Sequence, residues 1–166
     1  MMTRRITLGS KAVPGQPLFR EHGRQVAALC WRPGKHAPAE ILLITSLTSR
    51  RWILPKGWHE TGMTPAQAAS REAFEEAGVT GKIGERPVAS YHYLKERKDG
   101  GAMPCSVDVF ALEVTRQMDD WPEKGQRELA WLTPQQAALQ VSEPGLRQIL
   151  RDFRRPHATR ATRRAG

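Results

Sequence analysis

The chain has 166 residues, a formal net charge of +9, 39% hydrophobic residues and 26% charged ones. This fits one globular domain with ragged ends and excludes a fibrous or wholly disordered chain. No apolar run approaches the roughly 20 residues that span a bilayer. The start "MMTRRITLGSKAVPG" has charge but no apolar segment, so no secretory leader is expected and a cytoplasmic location follows by default.

Residues 1–22 mix Gly, Pro and basic side chains without a period and read as an N-terminal arm. "QVAALCW", 25–31, is a strand, and a Pro/Gly/Lys loop follows it. "EILLITSL", 40–47, is a continuous apolar run of strand length and reads as central. "RRWILP", 50–55, is a short strand that Pro55-Lys56-Gly57 breaks. The next segment carries a full set of helix signals. Thr64 is an N-cap, Pro65 suits the first helical position, Gln67 completes a capping box, and Gly78 stands where a left-handed C-terminal cap belongs. Ala66, Ala69, Ala73 and Ala77 form a stripe that lets this helix lie close to a sheet. "VASYHYL", 88–94, and "CSVDVFALEV", 105–114, flank a polar turn and read as an antiparallel hairpin. "RELAWL", 127–132, is a last strand; Thr133-Pro134 opens a helix, and "SEPGLRQILRDF", 142–153, is a C-terminal one. The order of strands, helix, strands and helix predicts a mixed sheet with helices packed on it.

From Arg154 onward the chain holds five Arg and no acid. This basic tail, 154–166, reads as solvated and mobile. Such runs are more often exposed than bound to nucleic acid, so specific nucleic-acid binding is not expected. Cys30 and Cys105 are too few for a disulfide framework and read as small buried hydrophobes.

The predicted helix raises a physical problem. Glu72, Glu75 and Glu76 crowd an arc of about 100°, read as lying opposite the alanine stripe. Like charges four residues apart weaken a helix by a few tenths of a kcal/mol, and acids near a helix C-terminus oppose the macrodipole. Arg71 is the one base close by. A divalent cation would remove the cost. Mg²⁺ takes oxygen ligands and is commonly held by one or two carboxylates plus substrate phosphates.

The surrounding residues sharpen this reading. "GWHETGMTPAQAASREAFEEAGV", 57–79, resembles the Nudix box, G-x5-E-x7-R-E-U-x-E-E-x-G-U with U a bulky aliphatic. Gly57, Arg71, Glu72, Glu75, Glu76, Gly78 and Val79 match, seven of nine specified positions. Met63 stands where the pattern has its first Glu, and Ala73 where a larger aliphatic is usual. The first Glu supports the loop in the family rather than serving as the main metal ligand, and Glu60 is placed to replace it in part. "LLITSLTSRRWILPKGW" and "WPEKGQRELAWLTPQQA" extend the resemblance towards the branch of diphosphoinositol polyphosphate and diadenosine polyphosphate hydrolases.

The resemblance implies a Nudix α/β/α sandwich over 23–153, with a mixed sheet between helices. It implies hydrolysis of a small-molecule pyrophosphate by water attack at phosphorus, with Mg²⁺, or Mn²⁺ in its place, held by Glu72, Glu75 and Glu76. Arg71 would fix a glutamate rotamer, and Gly57 would give the backbone its shape. A Glu from a distant loop would take the water's proton, Glu123 being one candidate, although a solvated loop acid is the commoner fate. Arg50, Arg51 and Lys56 are the nearest bases for phosphate, with Arg24 and Arg32 weaker. Tyr91, His92 and Tyr93 suit base stacking, but alternation favours packing for the two tyrosines. A non-catalytic nucleotide- or RNA-binding module on the same fold is the competing reading. It would not need Glu75 and Glu76.

Overall fold

The computed structural model describes residues 22–156. The arm expected over 1–22 therefore lies outside the described residues except for His22, and the basic tail expected over 154–166 except for 154–156. The sheet is organised by β1 (Gly23–Arg32). Its residues are buried on both faces: Val26, Ala28 and Cys30 enter one core, and Ala27, Leu29 and Trp31 enter another. Period-two alternation with apolar residues at every position requires a cover on each side.

β2 (Glu40–Thr45), β3 (Trp52–Ile53) and β4 (Lys56–Trp58) follow. β2 and β4 share one edge of β1. β2 pairs at Trp31 and Arg32, whereas β4 pairs at Gln25, Val26 and Ala27. The edge therefore forks, and β3 pairs with β2 beyond the fork. β3 ends before Pro55, as the Pro55-Lys56-Gly57 break implied, but Lys56 and Gly57 then open a further strand, β4, that was not expected. Pairing with β1 supplies the hydrogen bonds that the local sequence does not advertise.

α1 (Pro65–Ala77) matches its signals. Thr64 caps the Gln67 amide, Gln67 returns the capping-box bond, and Gly78 closes the helix at φ 68°. Ala66, Ala69, Ala73 and Ala77 are all buried against Val26, Ala28, Leu42 and Ile44. Met63 packs on the edge of this core.

β5 (Val79–Ile83), β6 (Ala89–Glu96) and β7 (Ala102–Gln117) come next. β5 was not foreseen, since its Gly and Lys hide a strand pattern that pairing with β7 completes. β6 and β7 form the expected antiparallel hairpin. β7 also pairs in parallel with β1 from Gly23 to Trp31, so the sheet is mixed. β8 (Leu129–Leu132) joins the outer edge of β2. α2 (Pro134–Gln140) and α3 (Pro144–Asp152) cover the face opposite α1. Their Ala137, Ala138, Leu146 and Leu150 meet Leu29, Ile41, Leu43, Tyr91 and Val109. The result is the expected α/β/α sandwich. Cys30 and Cys105 are both free and buried. No helix among the described residues is long and apolar enough to cross a membrane.

Candidate active site

A cavity of about 800 Å³ opens where the sheet forks. Its floor is the meeting of β4 and α1. Gly57 carries no Cβ, and one added there would lie 2.2 Å from Glu72 Oε1. The missing side chain is thus the space in which the Glu72 carboxylate rests against the strand. Glu76 lies beside it. Burial pushes the Glu76 carboxyl up to about 8, and a hydrogen-bonding Glu72 pushes in the same direction against the pull of Arg127.

Glu76 corrects the geometry read from the sequence. It is 4% exposed and flanks the alanine stripe instead of lying opposite it. Glu75 diverges from the other two. Its side chain is 42% exposed, sits 3.4 Å from Arg71 Nε and does not line the cavity. Among the described residues, no group of three or more His, Cys, Asp or Glu side chains is gathered to hold an ion. The donors still suit Mg²⁺, which needs only one or two protein carboxylates when substrate phosphates and water complete its shell. Glu72 and Glu76 supply that pair, and Glu76 Oε2 is buried without a hydrogen-bond partner.

Two ion pairs brace the floor. Arg71 forks onto Glu60 at 2.7 and 2.8 Å, which holds the Glu60 carboxyl below the usual range. Glu60 thus braces Arg71, while Met63 packs against the core. Arg127 was not singled out in the sequence. Its side chain is 9% exposed and reaches Glu76 Oε2 at 3.1 Å, close enough to pair but outside hydrogen-bond geometry. It also approaches Glu123 at 3.4 Å and donates to the Thr45 carbonyl at 3.0 Å. Glu123 is thereby engaged by Arg127 and does not line the cavity. Its backbone N–H donates to the Glu75 carbonyl at 3.0 Å, so the segment between β7 and β8 grips α1. The same segment presses Trp121 on Gly78, where an added Cβ would lie 2.4 Å from the indole.

The expected bases divide. Lys56 lines the cavity, donating to the Tyr93 hydroxyl at 2.9 Å and to Gln25 Oε1 at 3.4 Å. Burial, then neighbouring Lys95, lowers its pKa to about 8 against the pull of Glu76 and Glu143. Arg51 lines the rim, 3.8 Å from Glu96. Arg50 does not join them. At φ 54° it turns away from the cavity and donates to the Gln126 carbonyl at 2.9 Å. Arg24 pairs with Asp108, while Arg32 pairs with Glu40 and stacks on Trp131; neither lines the cavity. Tyr91 is core, as alternation favoured, whereas the Tyr93 hydroxyl donates to Gln25 at 2.6 Å within the cavity wall. Lys95, Arg97 and Lys98 from the β6–β7 hairpin add positive charge, and Trp58 an aromatic face. Glu143, just before α3, adds a carboxylate from the other helix layer. No local motif announces Gln25, Arg127 or Glu143, because their roles come from strands and loops distant in sequence.

A family model described as the NUDIX domain matches residues 21–153. Nudix hydrolase 12, mitochondrial, of Arabidopsis thaliana is 35% identical over 119 residues, covering 70% of this chain and 59% of that protein. Diphosphoinositol polyphosphate phosphohydrolase 3-beta of Bos taurus is 38% identical over 103 residues, covering 60% and 56%. The chain thus spans less than two thirds of the length of these curated relatives. Among solved structures, a C. elegans Ap4A hydrolase binary complex aligns with a TM-score of 0.58 at 22% identity, covering 78% of this chain and 93% of that one. A NUDIX hydrolase from Nitrosomonas europaea aligns with a TM-score of 0.61 at 21% identity, covering 80% and 88%. At these identities the structural likeness concerns the fold.

Proposed function

The chain belongs to the Nudix family, and on that premise we propose that it is a metal-dependent pyrophosphohydrolase whose working domain is residues 23–153. The observation that carries this reading is the pair Glu72 and Glu76 at the cavity floor, with a buried Glu76 oxygen lacking a hydrogen-bond partner. Holding two neighbouring carboxylates charged is costly unless a cation joins them.

Glu72 and Glu76 would hold Mg²⁺, or Mn²⁺ in its place, with Glu75 in reserve at the outer edge. When bound, the ion supplies charge compensation on phosphate oxygens and acidifies a coordinated water. The protein's own groups do the rest. Gly57 leaves room for the Glu72 carboxylate. Arg127 orients Glu76, and the Arg71–Glu60 fork braces the loop before α1. Lys56 and Arg51 face the space where phosphate oxygens would lie. Charge-assisted contacts of this kind fix a phosphate chain in line for water attack. The substrates named for the relatives, diadenosine tetraphosphate and diphosphoinositol polyphosphate, define the class: a small molecule containing a phosphoanhydride.

The test is hydrolysis of a panel of nucleoside polyphosphates, nucleotide sugars and diphosphoinositol compounds with Mg²⁺, with product identification. Cleavage of an internal phosphoanhydride, lost on chelation and in Glu72→Gln, is the expected result. Binding without turnover across the panel would favour a nucleotide-binding module instead.

A further inference from the structure

We propose that Glu143 is a specificity-determining residue of this cavity. It accepts a hydrogen bond from the neutral part of the substrate, a sugar hydroxyl or base N–H, and selects a nucleoside-bearing pyrophosphate over one crowded with phosphates. The inference deepens the pyrophosphohydrolase reading and rests on it.

Glu143 stands apart from the other carboxylates of the wall. Glu60 is forked by Arg71, Glu76 is paired with Arg127, and Glu96 lies 3.8 Å from Arg51. Glu143 enters from the layer of α3, and its Oε2 is shielded from solvent with no hydrogen-bond partner. Its charge acts on Lys56, Tyr91 and Tyr93, yet none of them donates to it among the described residues. The donors of Tyr93 and Lys56 are largely committed. The Tyr93 hydroxyl gives its proton to Gln25 and receives one from Lys56, which also reaches Gln25. Tyr91 is buried in the core.

An ionised carboxylate can only accept, and a shielded acceptor without a donor is one that a ligand can satisfy. Phosphate has no donor to offer and would meet a like charge. The phosphate run is therefore assigned to the side of Lys56, Arg51 and Lys95, and the group reaching Glu143 carries O–H or N–H. A nucleoside has both. A cyclitol substituted with phosphates at every position has neither.

The experiment uses the full chain with Mg²⁺ and four substrates: a dinucleoside tetraphosphate, its 2′,3′-dideoxy counterpart, inorganic tetraphosphate and a fully phosphorylated diphosphoinositol compound. Wild type, Glu143→Gln and Glu143→Ala are compared, the near-isosteric Gln covering the case in which Ala does not fold. For the dinucleotide, Glu143→Ala is expected to raise KM by about ten- to a hundredfold, the scale of one lost charged hydrogen bond, with kcat within about threefold. Gln, which keeps an uncharged acceptor, should fall between. KM for inorganic tetraphosphate stays level or falls, and KM for the inositol compound falls. If the wild-type KM for the dideoxy substrate is raised to the variant's value, the donor is the sugar; if it is unchanged, the donor is the base. An equal change for all substrates, no change for any, or a wild-type preference for the inositol compound overturns the proposal. If wild type cleaves none of the four, the hydrolase reading fails. Calorimetric binding of the same four ligands then decides Glu143: a loss confined to nucleoside ligands upholds it, and a uniform loss or none overturns it.

Discussion

Replacing Glu76 by Gln keeps the side-chain shape and removes its ionisation. In the folded chain this carboxyl is pushed from an ordinary 4.5 up to about 8. The folded state therefore holds the proton more tightly than the unfolded state. The stability this contributes is fully present below about pH 4.5 and is lost as pH rises towards about 8. One pH unit corresponds to about 1.36 kcal/mol, so the ceiling is about 5 kcal/mol. The pull of Arg127 is already contained in that value; solvent reaching the cavity offsets part of the rest, leaving an expected loss of about 1–3 kcal/mol. Urea unfolding of chelator-treated protein between pH 5 and 9 measures it. Glu76→Gln and wild type should lie within about 1 kcal/mol at pH 5 and separate by about 1–3 kcal/mol at pH 9, the variant being the more stable. Mg²⁺ at pH 8 should raise the wild-type Tm and leave the variant's unchanged. Parallel pH profiles, or equal stabilisation by Mg²⁺, would refute the account of Glu76 as a buried, cation-demanding carboxylate.

Three other substitutions probe the same frame. Gly57→Ala places a methyl group into the Glu72 carboxylate; because a flexible chain end can swing aside, Tm should move by only a few degrees while kcat falls about a hundredfold. Arg127→Met strips the pairing from Glu76 and Glu123 and the donor from the Thr45 carbonyl; a loss of about 3 kcal/mol is expected in chemical unfolding, and an unchanged midpoint would contradict the clamp. Lys56 is lowered to about 8, so its charge is present below that pH and lost above it. Affinity for a non-hydrolysable methylene bisphosphonate should fall up to about tenfold per pH unit above pH 8, and Lys56→Met should flatten the calorimetric profile.

What the sequence disclosed was local. Thr64, Pro65, Gln67 and Gly78 act within one turn of the helix ends they define, so α1 could be read with its caps. The Nudix box is likewise contiguous, which made Gly57, Glu72 and Glu76 legible. Quantities set by distant partners were not. Lys56-Gly57-Trp58 is a strand only because β1 lies beside it. Helix angles already bring Glu76 within about 20° of Ala69, beside the alanine stripe; how deeply it is buried follows from where the sheet and the β7–β8 segment press on α1. Arg50 looked like a phosphate ligand by proximity, but a left-handed backbone directs it to Gln126. Arg127, in the segment before β8, and Glu143, just before α3, meet the cavity only through the tertiary fold.

The forked edge of β1 separates two jobs within one cavity. The carboxylate floor is tied to the sheet interior through β4 and α1, while the rim is made from the 46–51 turn and the tip of the β6–β7 hairpin. Lengthening or trimming that tip by a residue or two need not disturb the spacing of Glu72 and Glu76. Ligand preference can therefore drift, in evolution or in the laboratory, by remodelling the lip alone.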